Sequence, residues 1–230
     1  FKQLLSAMLL FHSSPKPITH RDLKLENILL AADNTIRLCD FGSCVIGPVP
    51  IRTHTERTNE EERLSKTTTQ MYRAPEMVDL YLRDELTEKT DIWALGCIFY
   101  SLIFLIHPFG DVGSLGILNG KVSYPLKILN MIESGALLQE LTTQMLDVDP
   151  EARPTVSELL EAIESITSKN CLPDRQLTEE AKEWRARRLA NQTRRLEQVK
   201  KKTVSTTPQI VSTPLNPNSV AAKRLAAKRG

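Results

Sequence analysis

The stretch that decides the fold reads His20-Arg21-Asp22-Leu23-Lys24-Leu25-Glu26-Asn27 and is followed, thirteen residues after Asn27, by Asp40-Phe41-Gly42. Two short apolar runs lie between these motifs, on either side of Ala32-Asp33-Asn34, which contains strong turn formers. This pattern predicts a small β-hairpin. Its two paired strands would bring Asn27 and Asp40 to the same end.

The polar residues of this stretch are the types that phosphoryl transfer to a hydroxyl requires. Such a transfer needs a group that orients the hydroxyl and accepts its proton, and cations that neutralise charge on the phosphate. Asp22 suits the first task. Because Mg²⁺ prefers oxygen ligands, Asp40 and the side-chain carbonyl of Asn27 are candidate metal ligands. Lys24 can place its ammonium beside the transferred phosphate.

Length and composition predict one substantial core with a tail, because the chain has 230 residues of which 41% are hydrophobic. No stretch reaches the roughly 18–20 unbroken apolar residues of a membrane span. The longest candidate, 92–106, contains Gly96 and Ser101 and is predicted to be a buried helix. A cytoplasmic setting fits an N-terminus without an apolar leader and cysteines without metal-ligand spacing, namely Cys39, Cys44, Cys97 and Cys171.

Charge is unevenly distributed along the chain. Residues 171–230 contain 14 Lys+Arg and 5 Asp+Glu, a net charge of +9, which leaves 16 and 23, a net charge of −7, for residues 1–170. The overall charge of +2 therefore conceals an acidic domain and a basic tail.

With a third motif, Ala74-Pro75-Glu76, the chain resembles the eukaryotic protein kinases, whose signature is H-R-D-L-x-x-x-N followed by D-F-G and A-P-E. The order and spacing of all three outweigh the alternative that their carboxylates are solvated loop residues. The resemblance implies ATP and Mg²⁺ as cofactors and a protein substrate. It implies three groups of site residues: catalytic Asp22, Lys24 and Thr69; nucleotide-binding Asn27, Leu29, Cys39 and Asp40; and structural His20, Arg21, Phe41, Gly42, Glu76, Asp91 and Arg153.

The resemblance covers residues 1–168 and implies a mainly α fold with a small β-hairpin, the C-terminal lobe of a kinase. The glycine-rich loop, the strand lysine and the helix glutamate of the N-terminal lobe belong upstream of Phe1, and the sequence contains no G-x-G-x-x-G. We therefore expect a truncated product that lacks the N-terminal lobe and is inactive as it stands. A catalytically inactive remnant or scaffold that binds partners is the alternative function.

Residues 43–73 match an activation loop, rich in threonine and charge. Thr69 lies where Ser/Thr kinases place a threonine that contacts the catalytic aspartate and lysine. Arg21 could pair with a phosphothreonine of this loop, or the acidic triplet 60–62 could occupy it without phosphorylation. The sequence leaves these two alternatives open.

Further kinase features follow in order along the chain. Asp91 opens the apolar central helix and is expected to hydrogen-bond the catalytic-loop backbone, and the helix is expected to end at His107-Pro108. Glu76 and Arg153 are expected to form a buried ion pair. The last two helices are predicted at 137–146 and at 155–167, the latter begun by Pro154.

Within the kinases, the chain closely resembles the Numb-associated kinases. That family includes the adaptor-associated and cyclin-G-associated kinases, which phosphorylate clathrin adaptors on threonine. This similarity implies a clathrin-adaptor substrate, peripheral location at endocytic or vesicle membranes, and an extra helix after the activation segment, for which residues 77–83 and the following turn leave room. Ser/Thr rather than Tyr specificity is favoured by Lys24 and Thr69. The similarity is carried by residues 67–81, by Asp40-Phe41-Gly42-Ser43 and by Asp91-Ile92-Trp93-Ala94-Leu95-Gly96-Cys97.

The tail is predicted to contain a charged helix within 169–202, capped at Thr178, and a disordered segment, 203–230, with Thr207-Pro208 and Thr213-Pro214. The helix could be a solvated helix or a short coiled coil, or its clustered arginines could bind an anionic membrane surface or an acidic partner. DNA is not an expected partner.

Overall fold

The computed structural model describes residues 1–110, 113–179, 181–183, 186 and 187. The chain divides into two units, 1–185 and 186–230. The described residues of the first unit are mostly helical and form three small antiparallel sheets of two strands each. The prediction of a mainly α fold is therefore confirmed.

The helices pack around a central helix that is buried over almost its whole length. Trp93 of this helix stacks on Phe109, with ring centroids 5.2 Å apart. Leu5 and Met8 of the first helix join the same core. The helices are α1 (Lys2–His12), α2 (His54–Thr67), α3 (Pro75–Val78), the central α4 (Lys89–Phe104), α5 (Gly113–Asn119), α6 (Leu126–Leu129), α7 (Gly135–Met145) and α8 (Val156–Lys169).

The sheets pair strands from different parts of the chain. The strands are β1 (Ile18–Thr19), β2 (Ile28–Leu30), β3 (Ile36–Leu38), β4 (Val45–Ile46), β5 (Val49–Pro50) and β6 (Glu85–Leu86). Strand β1 pairs with β4, and β5 pairs with β6, so two of the three sheets were not predicted.

The predicted hairpin is confirmed as β2–β3, with Ile28 opposite Leu38 and Leu30 opposite Ile36. Its turn is stabilised by Asp33, whose carboxylate accepts hydrogen bonds from the backbone and hydroxyl of Thr35 at 3.0 and 2.6 Å. The backbone N–H of Cys39 donates to the carbonyl of Asn27 at 3.0 Å, which extends the pairing by one step. Asn27 and Asp40 therefore lie at the same end of the hairpin.

The segment predicted as an activation loop contains the fourteen-residue helix α2. Thr53 caps the helix: its side chain accepts from the N–H of Glu56, while the Glu56 carboxylate accepts from the N–H of Thr53. Periodicity does not reveal the helix because Leu64 is its one buried apolar residue. The prediction of an extra helix in 77–83 is wrong. The short helix α3 ends at Val78, and the backbone is extended at Asp79.

Three other predicted boundaries are wrong by a few residues. The central helix ends at Phe104 rather than at His107-Pro108, because Leu105 adopts a left-handed conformation with φ 58°. The last helix begins at Val156, with Thr155 as its N-cap, rather than at Pro154. The helix expected at 137–146 begins earlier, at Gly135.

Beyond α8 the chain continues to contact the lobe. Arg175 donates to the Glu158 carboxylate at 3.0 Å and to the backbone carbonyl of Arg153 at 2.8 Å. The predicted tail helix has its first turn here, since Thr178 accepts from the N–H of Ala181 at 3.2 Å. Residues 188–230, with the rest of the predicted helix and the predicted disorder, lie outside the described residues. No helix in the described part is long and apolar enough to cross a membrane.

Candidate active site

The backbone of the catalytic loop is held by one buried carboxylate. Asp91, in the first turn of α4, accepts from the N–H of His20 at 2.7 Å and from the N–H of Arg21 at 2.8 Å. Arg21 has φ 71°, a left-handed conformation that is strained for a residue with a side chain. Asp91 thus stabilises an unfavourable backbone conformation immediately before Asp22.

His12, at the end of α1, is a contributor that the sequence analysis missed. Its Nε2 lies 3.0 Å from Oδ2 of Asp91, and both side chains are buried. His12 therefore orients the carboxylate that holds the catalytic loop. The sequence indicates only that His12 lies eight residues before His20, close to the catalytic loop. Nothing in the local sequence indicates that it contacts Asp91.

Three predicted catalytic residues form one hydrogen-bonded group. Lys24 Nζ lies 2.7 Å from Oδ2 of Asp22 and 2.9 Å from Oγ1 of Thr69, and the backbone N–H of Thr69 donates to Oδ1 of Asp22 at 2.8 Å. Burial raises the pKa of Asp22, but the hydrogen bonds from Lys24 and Thr69 outweigh it, so the net pKa lies below the usual value. Its hydrogen bond to Asp22 raises the pKa of Lys24. The group therefore holds an ionised carboxylate beside an ammonium.

The candidate metal ligands are Asn27 and Asp40. Asn27 is buried, and its Nδ2 donates to the backbone carbonyl of Asp22 at 2.8 Å, which leaves its side-chain oxygen available as a ligand. Asp40 is exposed, has φ 62° and accepts no side-chain hydrogen bond in the described part of the chain. The described residues contain no cluster of three His, Cys, Asp or Glu that could hold a metal. Two oxygen ligands suit Mg²⁺, which binds through few protein ligands together with substrate phosphates.

Two further predicted nucleotide-binding residues, Leu29 and Cys39, and two predicted structural residues, Phe41 and Gly42, lie in or next to the hairpin. Leu29 is 52% exposed on β2, and the Cys39 thiol lies 3.4 Å from the carbonyl of Asn27. Phe41 is 50% exposed, although its ring packs 5.5 Å from that of His20. A Cβ at Gly42 would lie 3.5 Å from Oδ1 of Asp40, an ordinary contact, so space alone does not require glycine here.

The end of the activation segment is fixed to the lobe by a buried ion pair. Arg153 donates to both carboxylate oxygens of Glu76 at 2.7 Å, and its guanidinium lies 5.2 Å above the ring of Trp93. Arg153 Nε also donates to the carbonyl of Asp147 at 2.7 Å. These contacts connect α3 to the central helix and to the turn before α8.

The two alternatives for Arg21 are distinguished by the geometry. Its guanidinium pairs with the Glu60 carboxylate of α2, and both side chains are buried. The other two members of the acidic triplet, Glu61 and Glu62, are exposed, and Glu62 pairs with Lys66 at 2.6 Å. The structure therefore shows the acidic alternative, with one of the three glutamates in the contact.

Comparison with known proteins agrees with this geometry. A family model described as the protein kinase domain matches residues 1–163. The chain belongs to the protein kinase family. Within this kinase chain the matched range ends inside α8 and includes every candidate site residue discussed above.

The kinase has relatives that are named as serine/threonine kinases. It is 43% identical over 160 residues to a probable serine/threonine-protein kinase of Dictyostelium discoideum, covering 69% of this chain and 14% of the relative. It is 37% identical over 170 residues to actin-regulating kinase 1 of Saccharomyces cerevisiae, covering 74% of this chain and 26% of the relative. Actin-regulating kinase PRK1 of the same yeast is 35% identical over 171 residues, 74% of this chain and 20% of its own length. The chain thus spans about a quarter or less of these relatives.

Proposed function

We propose that this chain is the C-terminal lobe of a protein kinase that transfers the γ-phosphate of ATP to serine or threonine of a protein substrate. The observation that carries the proposal is the hydrogen-bonded group of Asp22, Lys24 and Thr69 beside the Asn27 amide. Its separations of 2.7 to 2.9 Å are those of charge-assisted hydrogen bonds. The Lys24–Thr69 contact supports Ser/Thr rather than Tyr specificity.

Each member of the group has a role in the proposed transfer. Asp22 orients the substrate hydroxyl and accepts its proton, and its lowered pKa keeps it ionised at neutral pH. Lys24 places a positive charge where negative charge develops on the transferred phosphoryl group. Asn27 and Asp40 would hold Mg²⁺, which when bound with ATP neutralises charge on the phosphate oxygens.

Exposed apolar side chains on the hairpin and after Asp40 support a second lobe that completes the nucleotide site. They are Leu29 at 52%, Leu30 at 71% and Phe41 at 50%. Contact with another part of the protein would bury apolar area here, which is favourable. We infer that upstream sequence of the natural protein covers part of this area and supplies the phosphate-covering loop and the lysine that grips the phosphates.

The proposed substrate class rests on the sequence resemblance to the Numb-associated kinases. We propose that the substrate is a threonine of a clathrin adaptor subunit and that the kinase acts peripherally at endocytic or vesicle membranes. The stretch around Ala74-Pro75-Glu76 supports this placement within the family.

The test is incorporation of radiolabelled phosphate into a threonine-containing adaptor peptide. A chain extended by its natural upstream sequence should be active, and the 230-residue chain should be nearly inactive. In the extended chain, Asp22→Asn and Asp40→Ala should each lower kcat by at least about a hundredfold, because a proton acceptor or a metal ligand is lost. Lys24→Ala should also slow transfer.

Asp33→Asn is the matched control for these substitutions. Asp33 is an exposed carboxylate in the same hairpin, where it accepts hydrogen bonds from Thr35, so its replacement should leave kcat near the original value. Robust activity of the 230-residue chain would contradict the requirement for upstream sequence. An inactive but well-folded extended chain would favour the scaffold alternative.

A further inference from the structure

The contact between Arg21 and Glu60 joins the activation segment to the catalytic loop. Glu60 lies on the second turn of α2, whereas Arg21 immediately precedes Asp22. Both side chains are almost completely buried, with 2% of Arg21 and 6% of Glu60 exposed. In many kinases, a phosphorylated residue orders the activation loop through a new arginine–phosphate pair.

The environment of Arg21 requires an anionic partner. Burial, reinforced by the nearby Arg63 cation, lowers the pKa of Arg21 to about 10, which still leaves the guanidinium charged at neutral pH. A buried charge without a partner is strongly destabilising. The carboxylate of Glu60 supplies the counter-charge without any covalent modification.

Helix α2 is held against the lobe at several points besides Glu60. Before the helix, Ile51 is buried and its N–H donates to the carbonyl of Asp84 at 2.8 Å. Within the helix, Arg57 donates to the carbonyl of Leu80 at 3.1 Å. After it, Arg73 donates to the carbonyl of Leu64 at 2.8 Å. These contacts hold the Glu60 side chain in place as part of an ordered element.

The threonines at the end of α2 already use their hydroxyls in this ordered state. Thr67 donates to the carbonyl of Arg63 at 2.9 Å. Thr68 donates to the carbonyl of Leu64 at 2.7 Å and accepts from Arg73 Nε at 2.7 Å. A phosphate on either hydroxyl would remove the hydrogen bond that this hydroxyl donates.

We propose that Glu60 is a positioning residue for Asp22, and that its carboxylate takes the place of an activation-loop phosphate at Arg21. This inference rests on the proposed function, because it concerns regulation of the same site. The path is short: Glu60 pairs with Arg21, the backbone N–H of Arg21 bonds to Asp91 at 2.8 Å, and Asp22 is the next residue. The kinase therefore needs no phosphorylation of residues 43–73 to order its catalytic loop.

The first experiment measures kinetics of the protein with its natural upstream sequence, before and after complete phosphatase treatment verified by mass spectrometry. Wild-type kcat should be unchanged by the phosphatase. Glu60→Gln should lower kcat at least about tenfold while the KM for ATP stays within about twofold, because the base is displaced and the nucleotide site is not. Glu61→Gln, an exposed neighbour on the same helix, should behave as wild type.

The second experiment measures amide hydrogen exchange in the unmodified 230-residue chain, which requires no activity. Backbone amides of residues 67–73 should be protected in wild type and in Glu61→Gln, and should exchange at least about tenfold faster in Glu60→Gln. The melting temperature of each variant is recorded first. If Glu60→Gln does not fold, Glu60→Asp replaces it in both experiments, because it keeps the charge but shortens the side chain and should show the same losses in smaller measure.

Three outcomes would overturn the inference: a large loss of wild-type activity on phosphatase treatment, a Glu60→Gln variant with wild-type kcat, or equal exchange in Glu60→Gln and wild type. Absence of phosphate transfer in every form of the extended protein would contradict the proposed function instead. In that case the exchange experiment alone decides whether Glu60 orders the segment.

Discussion

Arg153 and Glu76 meet through two parallel hydrogen bonds, both 2.7 Å long, although 77 residues of chain separate them. Neither side chain is appreciably exposed, with 0% of Arg153 and 3% of Glu76 accessible. Planar, bidentate pairing is the strongest form of contact between a guanidinium and a carboxylate. This contact determines where the activation segment ends and where the helical core begins.

The first prediction concerns the stability of this pair. Arg153→Ala should lower the free energy of unfolding by about 3–5 kcal/mol, because the Glu76 carboxylate would remain buried without its counter-charge. Urea denaturation followed by circular dichroism measures the change. Arg37→Ala is the control, since Arg37 is exposed on β3 and its loss should stay within about 0.5 kcal/mol. Similar denaturation midpoints for the two variants would contradict the role given to the pair.

The second prediction concerns the pH dependence of stability at His107. Its ring packs edge-on against Tyr72, with centroids 4.8 Å apart, and its Nδ1 accepts from the N–H of Phe109 at 3.1 Å. Burial lowers the pKa of His107 from 6.5 to about 4, against a smaller opposing effect of Glu26. The unfolded chain therefore binds this proton more readily than the folded chain. The resulting loss of stability is absent above the unfolded pKa and grows as the pH falls from 6.5 to about 4.

The matched variant for this test is His107→Asn, whose side-chain oxygen can still accept from Phe109 but does not titrate. Between about pH 7 and about pH 5, wild type should lose more stability than the variant, by up to about 1.4 kcal/mol for each pH unit below the unfolded pKa. His54→Asn, at an exposed position of α2, should retain the wild-type pH dependence. Equal losses in wild type and His107→Asn would refute the assignment.

The sequence predicted the features that depend on local patterns and motif order. The turn formers at Asp33-Asn34 gave the hairpin, and the hairpin places Asn27 and Asp40 together. The apolar run predicted the central helix. Its end could not be predicted, because it depends on the left-handed conformation of Leu105, and no sequence pattern indicates that conformation. Helix α2 was missed because few of its residues are apolar, yet Thr53 and Glu56 form a capping box that is readable from sequence.

Contacts between charged residues far apart in sequence were harder to predict. Three adjacent glutamates were equivalent candidates for Arg21, and only the rotation of α2 selects Glu60. His12 reaches Asp91 because α1 packs beside the central helix, a relationship that depends on tertiary packing across 79 residues. Side-chain partners of this kind are fixed by helix orientation, which the individual segments do not encode.

The third prediction concerns the Thr69 hydroxyl. Thr69→Val keeps the shape of the side chain and the backbone bond to Asp22 but removes the acceptor for Lys24. In the protein with its natural upstream sequence, kcat should fall about tenfold, the equivalent of roughly 1.4 kcal/mol, while the KM for ATP changes little. Thr69→Ser should keep most of the activity because it restores the hydroxyl. Thr58→Val, at an exposed position of α2, is the control, and equal kcat values for Thr58→Val and Thr69→Val would contradict the prediction.

The last prediction concerns the basic tail, whose net charge lies beyond the residues that contact the lobe. Arg175 and Ala181 contact the lobe, so removal of everything after residue 170 would damage the folded unit. Residues 171–187 contain 4 Lys+Arg and 4 Asp+Glu, and residues 188–230 contain 10 and 1, so the whole net charge of +9 lies beyond residue 187. A chain ending at 187 therefore removes the tail charge and keeps the contacts.

We expect the full 230-residue chain to co-sediment with anionic phospholipid vesicles and the chain ending at 187 to remain in the supernatant. Binding should weaken steeply with salt, because the Debye length falls from about 10 Å at about 0.1 M to about 3 Å at about 1 M. Vesicles of neutral lipid are the control, because they offer the same apolar interior without the surface charge. Equal recovery of the full chain on neutral and anionic vesicles, or equal recovery of the two chains on anionic vesicles, would show that the tail charge does not bind membranes.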